Sequence, residues 1–221
     1  MKRAEKNQIL TRAWLRIFFL CFGIVLLLWG VNEMRNHKKE TPKETINKDI
    51  PFKKISNEEL YTKLKNVVMT VPDTKTVIEL KNGESDYKVD PEIESLGSIS
   101  LSDPHAVRDV PSTAKSNART DIISPLTVES GGSGSFQYIE LFSWNGEKLL
   151  EKSYAFLGDR ISIDTVTTKD GGNQAEYYIV IDYLVRNDDE PMSDDPTHRR
   201  ETTIPVVDGR FDPKNTKTIS L

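Results

Sequence analysis

The chain is poor in the residues that support metal and thiol chemistry, with one cysteine and three histidines in 221 residues. Cys21 lies inside an apolar run, so no intrachain disulfide can form and no thiol is left for the remainder. His37, His105 and His198 are far apart, and none has a second ligand at a spacing that zinc would use. No Gly-x-Ser-x-Gly elbow sets up a nucleophilic serine, and no repeat of fixed period occurs. The 12 glycines and 11 prolines do not make a collagenous chain. A net charge of −4, with basic residues not grouped among stacking aromatics, argues against a nucleic-acid partner. These absences lead to the expectation of a non-enzymatic protein with no catalytic residues, no metal and no cofactor.

Charge is also missing from one continuous stretch. Between Ile17 and Val31 every residue is apolar or glycine, and the segment Ala13 to Val31 reads AWLRIFFLCFGIVLLLWGV. Nineteen residues of helix reach about 28 Å, close to the thickness of a bilayer core. Arg16 can extend to the headgroups, and Trp14 and Trp29 sit where interfacial aromatics are favoured. The residues after Trp29 offer no small-x-small cleavage pattern, so an uncleaved anchor held by membrane lipid is expected. Residues 1–16 carry five positive side chains against Glu5, a net of +4, leaving −8 for the rest. Positive flanks stay in the cytoplasm, which places the N-terminus inside and the bulk of the chain outside the cell membrane. The expected organisation is a cytoplasmic tip (1–12), a transmembrane helix (13–31), a flexible polar tether (32–55) and an extracytoplasmic domain (56–221). A polar tether also accounts for an apolar fraction of only 37%.

Ser56 and Glu59 make a capping box, Ile55 and Leu60 a hydrophobic staple, and Leu60, Leu64, Val67 and Val68 one apolar face. This pattern predicts an amphipathic helix that Pro72 ends. Beyond it the apolar spacing shortens to the alternation of strands separated by turn residues. Asn82-Gly83 and Asn145-Gly146 predict hairpins, and Asp170-Gly171-Gly172-Asn173 and Asp208-Gly209 predict further turns. The run Tyr177 to Val185 has one wholly apolar or aromatic face and a second that is partly so, which predicts a central strand covered on both faces. Pro205 places the late strand Thr202 to Val207 at an edge or bulge. Asp103 to Ser124 is polar and poorly periodic and reads as a long loop. The fold class expected is α+β, mainly antiparallel β, with one amphipathic helix.

Three phrases stand out: GGSGSF at Gly131 to Phe136, LGDR at Leu157 to Arg160, and EPMSDDPT at Glu190 to Thr197. Their order and spacing resemble a family of uncharacterised bacterial cell-envelope proteins, many of them lipoproteins or singly anchored. The resemblance covers about Val71 to Phe211 and implies an envelope location, with no assigned reaction. Many members of that family have an Asp/Asn/Gly-rich loop resembling a calcium loop before the Gly-Gly-Ser-Gly motif. Here the corresponding stretch is PSTAKSNARTDII, where Asp121 alone keeps a matching carboxylate, whereas Ca²⁺ needs several oxygens from one loop.

Gly131, Gly132 and Gly134 do not form a phosphate cradle, because no Gly-Lys-Ser/Thr follows and a strand comes next; they read as a tight strand connection using positive φ. Asp159 and Arg160 could hold a polar ligand, but as neighbours on a strand they would point to opposite faces, so turn-capping is the stronger reading. The acidic run Asp188, Asp189, Glu190, Asp194 and Asp195 lacks EF-hand spacing and reads as a solvated loop. The expected function is a membrane-anchored, envelope-exposed binding or structural domain. Its partner would be an envelope protein or wall component, met through the loops around Gly131, Gly158 and Pro191, with Asp159, Arg160, Gly131, Gly132 and Gly134 as ligand-binding candidates. The alternative is an envelope hydrolase acting on wall glycans through paired carboxylates drawn from Asp159, Asp164 and Asp182.

Overall fold

The computed structural model describes residues 52–221, apart from 91, 93–94, 112–116, 133, 173–174, 188–189 and 192. The expected tip, membrane-spanning segment and most of the tether lie outside the described residues. Among those described, no helix is long and apolar enough to cross a membrane.

The domain is mainly antiparallel β with a single α-helix. Helix α1 (Asn57–Leu64) begins where the Ser56 side chain accepts from the Glu59 N–H at 3.2 Å. The staple residues Ile55 and Leu60 are both buried in one core. The helix is shorter than expected. It ends at Leu64, and a turn at Lys65 and Asn66 leads into β1 (Val68–Thr70), well before Pro72. The β-branched pair Val67-Val68 has alternating burial, Val67 inward and Val68 outward, as a strand requires and a helical face would not. β1 pairs with β2 (Val77–Glu79). Asn82 and Gly83, both at positive φ, then turn the chain into β3 (Glu84–Lys88) between the bridged residues Lys81 and Glu84.

Two larger sheets follow. In the first, β3, β4 (Leu96–Leu101), β6 (Arg119–Glu129), β7 (Phe136–Trp144) and β8 (Leu149–Asp159) lie in that order. β5 (Ala106–Val110) continues beside the first half of β6. In the second, β12 (Arg210–Phe211), β11 (His198–Val207), β10 (Tyr177–Val185) and β9 (Ser162–Asp170) are neighbours, with β13 (Lys217–Ser220) also on β11. Two cores share the first sheet. One face carries Ile122, Leu126, Tyr138, Phe142 and Trp144 against α1 and the β1–β2 hairpin. The other carries Ile123, Ile139 and Leu141 against Tyr177, Ile179, Ile181 and Ile204 of the second sheet.

The doubly covered strands are therefore β6 and β7, not β10. β10 is central in its own sheet and its inner face is buried, but Tyr178, Asp182 and Leu184 on the outer face are only half-buried. Pro205 sits in an interior strand, yet at a break: Arg200 to Thr203 pair with β13 and Val206 and Val207 with β12, so its missing N–H falls between two short partners. The expected loop from Asp103 to Ser124 is in fact β5 and half of β6. Alternation is hidden there because Arg119, Thr120, Asp121 and Ser124 are polar and still buried. Residues assigned to the expected tether are already attached to the domain: Trp144 Nε1 donates to Lys53 O at 2.9 Å and Lys54 pairs with Asp109.

Candidate functional site

The three motifs singled out in the sequence converge at one end of the domain. Asp159 closes β8, and its carboxylate accepts the Ser135 N–H at 2.8 Å. Arg160 follows at φ +49, and its N–H donates to Ser135 O at 2.8 Å. The glycine motif is thus clamped to the LGDR turn from both sides. Arg186, at the end of β10, donates to Asp194 O at 2.6 Å and to Arg160 O at 3.4 Å, joining the proline-flanked acidic loop to the same turn. Because Arg160 is left-handed rather than extended, its guanidinium swings back to Asp159 at 3.4 Å. The expectation that these neighbours point to opposite faces does not hold, since it assumed strand geometry at both residues. The Asp159 carboxylate and the Arg160 backbone hold the loops together, and Gly132 is exposed at their surface with open space around it. Gly131 uses positive φ, +73, and a Cβ there would stand 2.7 Å from Leu96 O. Gly134 lies against the ring of Phe136. In the acidic loop, the Glu190 carboxyl is held below its usual range by the Asn187 N–H and then by His198. Asp188 and Asp189 lie outside the described residues.

The other two carboxylates, Asp164 and Asp182, lie on the neighbouring strands β9 and β10 at the irregularity in their register, each held by its own neighbour. Asp164 pairs with Arg199 at 2.7 Å, and Asp182 accepts from Thr165 Oγ1 at 3.0 Å. Among the described residues, no three His, Cys, Asp or Glu side chains are grouped to hold a metal ion. A shallow groove of about 530 Å³ lies over β3 and β4, lined by Lys81, Glu84, Asp86 and three serines, away from these groups.

Two buried polar clusters were not legible as sites. In the first, fully buried Asp121 accepts from Arg119 Nε at 3.0 Å, Tyr177 Oη at 2.9 Å and Ser143 Oγ. Arg119 also reaches Glu176, at 2.5 Å, whose carboxylate accepts the Gly209 N–H at 3.0 Å. Burial depresses the Arg119 pKa, but Glu176 and Asp121 more than offset it and hold the group above its ordinary value. Burial, then the neighbouring Asp121, pushes the Tyr177 hydroxyl far up. The Asp121 carboxylate is therefore saturated by donors of its own chain.

The second cluster surrounds Glu140 of β7. Its side chain is completely buried, and among the described residues Oε1 and Oε2 are the buried side-chain polar atoms with no hydrogen-bond partner. Burial first, then the charge of Glu151, raises its pKa well above the usual carboxylate range, while Lys75 opposes the shift. Tyr154 faces it from β8 and Ser124 from β6. The signal was present as a lone acid between Tyr138 and Phe142, at a position that period-2 alternation assigns to the core.

Comparison with known proteins adds no identity: no family model matches the chain, and no match is found among curated proteins or solved structures.

Proposed function

We infer that this is a membrane-anchored, envelope-exposed protein whose β-rich domain is a non-catalytic binding or structural module for an envelope protein or wall component. The observation that carries this reading is the convergence of the loops at Gly131, Gly158 and Pro191 through Ser135, Asp159, Arg160, Arg186 and Asp194. Loops clamped together on a rigid sandwich present a preorganised surface, which is how recognition is usually built. The chain enters the domain beside Trp144 and Gly146, at the far end of β7 from Phe136. At about 3.3 Å per residue, the nine residues of β7 separate the two ends by about 26 Å. A partner at the loops is thus kept clear of the point where the chain joins the domain. The turn-capping of Asp159, the ion pair of Asp164 and the Thr165 bond to Asp182 support binding over hydrolysis, and the apolar run and motif resemblance support the location.

The test is co-sedimentation of the detergent-solubilised full chain with purified cell walls and with envelope membranes, alongside Asp159→Ala. Retention lost in the variant supports the reading. Hydrolysis of wall glycans by the wild type, abolished in Asp159→Asn, refutes it. A reporter active only in the cytoplasm, fused at Leu221, refutes the orientation if it gives signal.

A further inference from the structure

Glu140 sits beneath a strained turn. Pro72 to Lys75 crosses over β7 and β8, with Lys75 at φ +60, a left-handed conformation unfavourable for a non-glycine residue. Lys75 Nζ donates to Pro72 O and to Tyr154 Oη and lies 4.7 Å from the centre of the Tyr154 ring. Asp73, in the same turn, accepts from Tyr138 Oη and from Ser130 Oγ at 3.3 Å, next to the glycine motif. Tyr154 is the direct cross-strand neighbour of Glu140. The groups paired opposite Glu140 or acting on its charge are thus Tyr154 and Glu151 from β8, Ser124 from β6 and Lys75 from the turn, while Asp73 of the turn is bound to Tyr138. α1 offers Leu60, Leu64 and the half-buried Tyr61 to this core.

Both oxygens of Glu140 lack partners, so as a neutral acid it is tolerated, whereas an ionised carboxylate there requires a cation. Glu151 is a like charge whose Oε2 accepts the Thr70 N–H at 2.8 Å, and Lys75 is the cation at hand, on a flexible four-carbon stem. We propose that Glu140 and Lys75 form a proton-controlled switch: while Glu140 holds its proton, Lys75 donates to the Tyr154 hydroxyl, and loss of that proton to solvent transfers the ammonium from Tyr154 to Glu140. The transfer frees the Tyr154 hydroxyl on the edge strand, two residues from Phe156, which is 57% exposed. The raised pKa of Glu140 moves the switch toward neutral pH. This inference does not depend on the envelope reading.

The test is NMR of the full chain in detergent, with ¹³C-labelled Glu and Tyr, titrated from acid to about pH 9, the upper range for buried carboxyls. In the wild type, the Glu140 Cδ and Tyr154 ring signals are expected to move together with one midpoint above the ordinary Glu range. In Glu140→Gln the Tyr154 shift is lost. In Lys75→Met, Glu140 still titrates, at a higher midpoint, and Tyr154 stays still. A Tyr154 shift that persists in either variant overturns the proposal, as does a Glu140 Cδ that titrates in the ordinary range or stays flat throughout. Should Glu140→Gln fail to fold, the wild type and Lys75→Met decide by the same criteria.

Discussion

Asp121→Asn is expected to be among the most damaging isosteric changes in the domain. The carboxylate is completely buried and every neighbour is a donor: Arg119 Nε, Tyr177 Oη and Ser143 Oγ. An amide of the same shape brings two N–H donors into that ring of donors, so at least one hydroxyl loses its acceptor and Arg119 loses one of its two counter-charges. Breaking a buried ion pair from one side costs about 3–5 kcal/mol, because the surviving charge stays desolvated. Glu176 remains on Arg119, which places the expectation near 3 kcal/mol. For a domain of this size that is a fall in Tm of about 6–12 °C. The assay is urea and thermal unfolding of the full chain in detergent, followed by the near-ultraviolet signal of the buried tyrosines. Lys54→Ala is the control: its pair with Asp109 is as short, 2.7 Å, but the two side chains are 74% and 54% exposed, and its loss should cost less than about 1 kcal/mol. Tyr177→Phe combined with Asp121→Asn should cost less than the two single changes added, by about 1 kcal/mol or more. Equal costs for Asp121→Asn and Lys54→Ala, or strict additivity of the double variant, would refute the reasoning.

Glu140 imposes a pH dependence on stability. Its folded-state pKa lies above the unfolded value, so its favourable contribution is complete below about pH 4.3 and is lost as pH rises through the folded-state pKa. In that window wild-type stability should fall by about 1.4 kcal/mol per pH unit relative to Glu140→Gln, and unfolding curves with parallel pH dependence would exclude this. Gly131→Ala should destabilise by about 1–3 kcal/mol, because positive φ and Leu96 O both resist a Cβ, whereas Gly132→Ala should be within about 0.5 kcal/mol of wild type in the same melts. Ser56→Ala should cost about 1 kcal/mol through the lost cap of α1, read as faster amide exchange in that helix.

Legibility followed the range of the interactions involved. The cap at Ser56 and the turns at Asn82-Gly83 and Asp208-Gly209 lie within a few residues of chain, and each appears where its residues point. Gly131 takes the positive φ that its role in a tight connection requires. The inner face of β10 was equally visible, because period-2 alternation of apolar residues is a local record of which side is buried. The reading failed in β5 and β6, where burial of polar groups broke the alternation. It also overextended α1, whose apolar face passes without interruption into β1.

The sequence by itself determined the turn chemistry, the mainly β class and the apolar stretch from Ile17 to Val31, all of which rest on residues close together in the chain. Only the tertiary structure decided which strands are covered twice, that three separated motifs meet through Arg186, and that Asp121 is saturated while Glu140 is left without a partner. Those outcomes depend on donors and acceptors brought from up to 56 residues away, and on how many layers fall on each face of a sheet. A polar side chain reads the same in a sequence whether its partner is water, a neighbouring strand or nothing, and the fold is what assigns it one of the three.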